Sequence, residues 1–124
     1  MKRAGGDAQG DTLTGIEILR MGGTDYTVLS GTGNVDTLSG GAGSQVILGM
    51  QAADTIDAGD DSDIISGGAG NDTINGGNGD DFIFQVSNTD GRDFIDGGAG
   101  SDTFVLTGDT SAETFTIMTR AAAL

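Results

Sequence analysis

Written in rows of nine from Gly22, the chain places a large apolar residue at the eighth position of every row: Leu29, Leu38, Ile47, Ile56, Ile65, Ile74, Ile83, Ile95 and Phe104. Three inserted residues, Gln85-Val86-Ser87, break the phase once, and rows resume at Asn88 and Gly97. The first four positions are rich in glycine. The sixth reads Thr27, Asp36, Gln45, Asp54, Asp63, Asp72, Asp81, Asp93 and Asp102. The most regular rows are Gly67-Gly68-Ala69-Gly70-Asn71-Asp72-Thr73-Ile74-Asn75 and Gly76-Gly77-Asn78-Gly79-Asp80-Asp81-Phe82-Ile83-Phe84. Each row reads as a six-residue turn, in which glycine supplies positive φ, and a three-residue strand. Side chains alternate along a strand, so an inward eighth position turns the seventh and ninth outward.

One inward residue in nine cannot form a globular core, but stacked rows can. Two rows make one coil, and the Leu and Ile side chains of successive coils fill a thin continuous interior. The predicted fold is all-β: a right-handed parallel β-roll, a β-helix-like solenoid of nine-residue repeats, over residues 22–105. Residues 1–21 read as an N-terminal lead-in and capping segment, in which Ile16 and Ile18 alternate as a strand does. Residues 106–124 read as a C-terminal strand or cap segment, with strand character over Glu113-Thr114-Phe115-Thr116-Ile117-Met118. The abrupt end from Arg120 to Leu124 reads as the truncation of a longer protein.

Composition changes this picture in one respect. With 35% hydrophobic residues and 24 glycines, an aperiodic chain would be expected to stay disordered; the strict period is what permits a fold. Charge then selects partners. Nineteen acidic residues, 17 of them Asp, face five Lys and Arg, for a net charge of −14. Such a polyanion attracts cations and cannot neutralise nucleic-acid phosphates. The chain has no His and no Cys, which removes imidazole and thiolate chemistry, and its two glutamates, Glu17 and Glu113, are far apart. Catalysis is not expected. No run approaches the roughly 20 apolar residues of a membrane helix, and no apolar run follows Met1-Lys2-Arg3, so a cleavable signal peptide is not visible.

The sixth-position aspartates raise a physical problem. Rows two apart are neighbours in the stack, so one edge carries Asp36, Asp54, Asp72 and Asp93, and the other Asp63, Asp81 and Asp102. Neighbouring carboxylates lie about 5 Å apart. At an effective dielectric near 20 they repel by about 3 kcal/mol per pair before salt screening. A hard divalent cation resolves this, because Ca²⁺ takes six to eight oxygens and glycine turns offer backbone carbonyls beside each carboxylate. An EF-hand fails as an alternative, for want of a twelve-residue loop with a terminal Glu.

The pattern Gly-Gly-x-Gly-x-Asp-x-apolar-x, clear over residues 58–105 and degenerate back to Gly22, resembles the RTX proteins, the hemolysin-type calcium-binding family. The resemblance implies ligands from the second and fourth carbonyls and the Asp of one turn, with the first and third carbonyls and the Asp of the next. One expected site joins Gly59, Asp61, Asp63, Gly76, Asn78 and Asp81. A second joins Gly77, Gly79, Asp81, Gly97, Ala99 and Asp102. On the other edge a third joins Met50, Ala52, Asp54, Gly67, Ala69 and Asp72, and a fourth Gly68, Gly70, Asp72, Asn88, Asp90 and Asp93. About four Ca²⁺ ions are therefore expected. A site between Asp36 and Asp54 is disfavoured by Thr32 and Asn34, and none is expected where Thr27 and Gln45 lack a carboxylate. The resemblance further implies a secreted, extracellular protein exported by a type I system and folding on Ca²⁺. A second reading is a structural or adhesive segment with permanent calcium. It would bind another domain or copy through the outward stripe Val28, Val46, Ile64 and Phe82.

Overall fold

The computed structural model describes residues 18–86, 91–107 and 116–117. Its strands are β1 (Ile18–Met21), β2 (Thr24–Ser30), β3 (Thr37–Gly41), β4 (Gln45–Leu48), β5 (Thr55–Gly59), β6 (Ile64–Ser66), β7 (Thr73–Asn75), β8 (Phe82–Val86), β9 (Phe94–Asp96), β10 (Thr103–Thr107) and β11 (Thr116–Ile117). No helix occurs among the described residues. Alternate strands go to opposite sheets. One sheet runs β1-β2-β4-β6-β8-β10 and the other β11-β9-β7-β5-β3. From β2 onward the pairings in the first sheet are parallel, as are all those described in the second. The exception is β1, which folds back antiparallel on β2 and is tied to it by an Arg20–Asp25 ion pair (2.9 Å between Nη2 and Oδ2).

The register follows the nine-residue period, two rows to a coil. Leu29 aligns with Ile47, Ile47 with Ile65, Ile65 with Ile83, and Ile83 with Phe104. In the facing sheet Leu38 aligns with Ile56, Ile56 with Ile74, and Ile74 with Ile95. The core is thus a double file of eighth-position side chains. Ile47, Ile56, Ile65, Ile74 and Ile83 are fully buried with Ala58, and Leu29, Leu38, Ile95 and Phe104 close the two ends. Five buried isoleucines contribute on the order of 10 kcal/mol, a small core for a chain of this length. The Gln85-Val86-Ser87 insertion lengthens β8 without disturbing the stack, because Thr103 still pairs with Phe82.

Glycine at the second and fourth turn positions has two physical reasons. Gly68 and Gly70 have φ of 92° and 139°, and Gly77 and Gly79 have 96° and 114°, values L side chains avoid. A Cβ on Gly79 would also strike the Asp61 carbonyl of the adjacent turn, and one on Gly70 the Ala52 carbonyl. Met50 (87°), Ala52 (78°) and Asp61 (69°) nevertheless hold the same left-handed conformation, at a cost of about 1–2 kcal/mol each. Turn geometry overrides residue preference at these three positions.

Candidate metal centre

The turns stack on one another as the strands do. Turn 58–63 lies on turn 76–81, which lies on turn 97–102; turn 49–54 lies on turn 67–72. Parallel bridges Asn78–Ala99 and Gln51–Ala69 mark the contact. Backbone hydrogen bonds hold it: Asn78 N–H donates to the Gly59 carbonyl (2.8 Å), Ala99 N–H to Gly77 (2.7 Å) and Ala69 N–H to Met50 (3.0 Å). Each carbonyl keeps a second lone pair. The members of the first three expected sites are therefore brought together, turn against turn. Of the fourth, Gly68, Gly70, Asp72 and Asp93 are placed, while Asn88 and Asp90 lie outside the described residues.

The aspartates form two continuous ladders. In each, the sixth-position N–H of one turn donates to Oδ1 of the next aspartate on that edge. Along one edge Asp36 donates to Asp54 (2.8 Å), Asp54 to Asp72 (2.8 Å) and Asp72 to Asp93 (2.7 Å). Along the other Gln45 donates to Asp63 (2.7 Å), Asp63 to Asp81 (2.9 Å) and Asp81 to Asp102 (3.0 Å). One carboxylate oxygen is thus fixed by the backbone. The second is not: Oδ2 of Asp54, Asp63, Asp72 and Asp81 is buried with no hydrogen-bond partner. These four side chains are almost wholly excluded from solvent.

A buried carboxylate oxygen with no donor is costly, and three of these carboxyls, Asp63, Asp72 and Asp81, resist ionisation. Burial pushes Asp63 up to about 7, helped by the neighbouring carboxylates of Asp81, Asp61 and Asp60 and opposed by the Gln45 N–H. Burial likewise raises Asp72 to about 6, with Asp93 and Asp54 adding to it against the Asp54 N–H. Asp81 is raised too, by burial and then by Asp102 and Asp80, against the Asp63 N–H. Either a proton or a cation must meet each of these oxygens. Among the described residues no three carboxylates converge on one point, so the remaining oxygens of an ion's shell have to be turn carbonyls. Carbonyls and carboxylates together are the hard oxygen set that suits Ca²⁺, whereas Mg²⁺ demands a stricter octahedron.

Where the pattern degenerates, side chains of the protein make hydrogen bonds at the ladder positions. Asp36 Oδ2 accepts from Thr32 N–H (2.6 Å) and Thr32 Oγ1 (2.9 Å), and neither Thr32 nor Asn34 takes the left-handed conformation. The Gln45 side-chain amide donates to the carbonyls of Ala42 (3.0 Å) and Gly43 (2.6 Å) in its own turn. Gln85, buried within the insertion, donates its amide to Asp93 Oδ2 and accepts from Gly67 N–H (3.2 Å). Reading the sequence did not assign a role to Gln85; its signal was a polar residue directly following the Phe84 strand position.

Stacked glycine turns, paired buried carboxylates and a one-isoleucine-wide core define a calcium-binding parallel β-roll. The family model for the RTX calcium-binding nonapeptide repeat matches in four copies, over residues 30–65, 57–84 and 89–110. The chain belongs to the RTX repeat family. No curated protein matches the chain.

Proposed function

We propose that this chain is the calcium-triggered folding module of an extracellular protein exported by a type I secretion system, and that its chemistry is binding and folding rather than catalysis. The observation that carries the reading is the set of four buried, unpartnered Oδ2 atoms on Asp54, Asp63, Asp72 and Asp81. They are held in register by backbone donors and lie beside turn carbonyls. Ions are assigned between Asp63 and Asp81 (with Gly59, Asp61, Gly76 and Asn78), between Asp81 and Asp102 (with Gly77, Gly79, Gly97 and Ala99), and between Asp54 and Asp72 (with Met50, Ala52, Gly67 and Ala69). A fourth ion, between Asp72 and Asp93, competes with the Gln85 amide for Asp93.

At low Ca²⁺ the ladders repel and the thin core cannot hold the stack, leaving an extended chain suited to threading. Millimolar Ca²⁺ neutralises the ladders, and because each ion bridges two coils, binding and folding are one cooperative event. Isothermal titration of the chelated chain tests this. Three to four Ca²⁺ equivalents, bound with the large heat of coupled folding, are expected; failure to bind Ca²⁺ at millimolar concentration overturns it.

A second reading is favoured by one feature of the surface. Val28, Val46, Ile64 and Phe82 are adjacent in register across β2, β4, β6 and β8. Leu48, Phe84 and Val105 flank them on the same face, and Phe82 and Phe84 approach at 6.2 Å between ring centroids. The facing sheet shows Thr37, Thr55, Thr73, Asp57, Asn75 and Asp96 outward instead, with Phe94 as the one exposed large apolar residue there among the described residues. A one-sided apolar stripe fits a roll that docks on another domain or a second copy.

A further inference from the structure

Gln45 occupies the sixth position of a turn that is otherwise complete, Gly40-Gly41-Ala42-Gly43-Ser44. Its second and fourth residues, Gly41 (φ 100°) and Gly43 (φ 84°), share the left-handed geometry of the turns that end in aspartate. Its N–H donates to Asp63 Oδ1 as an aspartate in that place does. The side chain is 4% exposed, and its Nε2 donates to the Ala42 and Gly43 carbonyls (3.0 and 2.6 Å). A carboxylate cannot make those contacts, because it offers only acceptors. An amide NH₂ presents two polarised hydrogens to the same turn oxygens.

We infer that Gln45 is a built-in replacement for a calcium ion, which closes the ladder above Asp63 and makes the first turns of the roll independent of metal. The inference rests on the proposed function. Two further contacts follow the same logic. Thr32 supplies two donors to Asp36 at the corresponding end of the other ladder, and Gln85 supplies one to Asp93. Protein donors thus stand at three of the four ladder ends, Asp36, Gln45 and Asp93, while the buried oxygens left without a donor are Oδ2 of the four interior carboxylates and Oε1 of Gln45 itself. The roll then carries a metal-independent N-terminal platform, β1 to β4, on which the calcium-dependent coils assemble.

The test is isothermal titration of the full chain with CaCl₂ beside Gln45→Asp and Gln45→Glu, with far-UV circular dichroism of each in EDTA. The expected result is one additional Ca²⁺ equivalent in Gln45→Asp, together with less residual β signal than the natural chain shows in EDTA. Gln45→Glu, which keeps the length but loses the donor, should also lose residual β signal in EDTA. If the natural chain binds Ca²⁺ but Gln45→Asp gains no ion and both variants keep the natural chain's residual β signal in EDTA, the role given to Gln45 is wrong. A Gln45→Asp chain that fails to fold even in Ca²⁺ refutes it equally, since an ion should supply the anchoring the amide gave. If the natural chain binds no Ca²⁺, the proposed function itself falls, and the ladder with it.

Discussion

Replacing Asp81 with Asn separates the two roles of a ladder carboxylate, because the change should act with opposite sign in the presence and absence of calcium. Asp81 is 2% exposed, lies between Asp63 and Asp102, and is assigned to two ions. An Asn side chain keeps an oxygen to accept the Asp63 N–H but carries no charge. Without metal at pH 8, each ionised neighbour about 5 Å away costs about 3 kcal/mol at an effective dielectric of 20. With two neighbours and salt screening, removing the charge should stabilise the metal-free roll by about 2–4 kcal/mol. With calcium at about a hundredfold over its dissociation constant, each occupied site contributes about 2.7 kcal/mol. Losing both therefore costs about 5 kcal/mol and leaves Asp81→Asn less stable than the natural chain by about 2 kcal/mol. Far-UV circular dichroism reads both signs: in EDTA as the β signal the chain retains, and in millimolar Ca²⁺ as the urea midpoint. A substitution that destabilises in both buffers, or in neither, would refute the assignment of Asp81 to bridging ions.

The raised carboxyls make the metal-free roll prefer acid. Asp63 (about 7), Asp72 (about 6) and Asp81 titrate above their unfolded range, so between about pH 4 and 7 the folded state holds more protons than the unfolded. Stability in EDTA should therefore be greatest near pH 4–5 and fall as pH rises through 6 and 7. In Ca²⁺ the trend reverses, as protons compete with the ion; the β signal retained in EDTA and the urea midpoint in Ca²⁺ check it, and a metal-free β signal that climbs from pH 5 to 8 contradicts it. For the apolar face, Ile64→Ser with Phe82→Ser should convert any calcium-loaded oligomer to monomer by light scattering. An oligomer of unchanged mass would remove that stripe from the interface.

The period-nine pattern made the fold readable because in a solenoid each residue's neighbours are set by row and position alone. Knowing that Ile65 holds the eighth position of its row was enough to place it between Ile47 and Ile83. The carboxylate pairs followed from the same arithmetic, and even the three-residue insertion left the Phe82–Thr103 register intact. Side-chain substitutions for the ion were not legible in this way. Gln45 and Thr32 were visible as departures from the pattern, but a missing carboxylate says only that an ion loses a ligand. That an amide or hydroxyl would fill the gap depends on rotamer and turn geometry. Gln85 lies outside the repeat altogether, where row and position give no information about what its amide can reach. The left-handed conformation of Met50, Ala52 and Asp61 belongs to the same class: residue preference argues against it, and stacking on the adjacent turn imposes it.

The central claim, that calcium folds this chain, is tested most directly by following far-UV circular dichroism while Ca²⁺ is titrated into chelated protein, with Mg²⁺ as the control. The expected result is a cooperative rise in β signal with Ca²⁺, starting from no more than the small signal of the first turns, and no comparable rise with Mg²⁺. A β signal already complete in chelator, or one that rises equally with Mg²⁺, would contradict the claim.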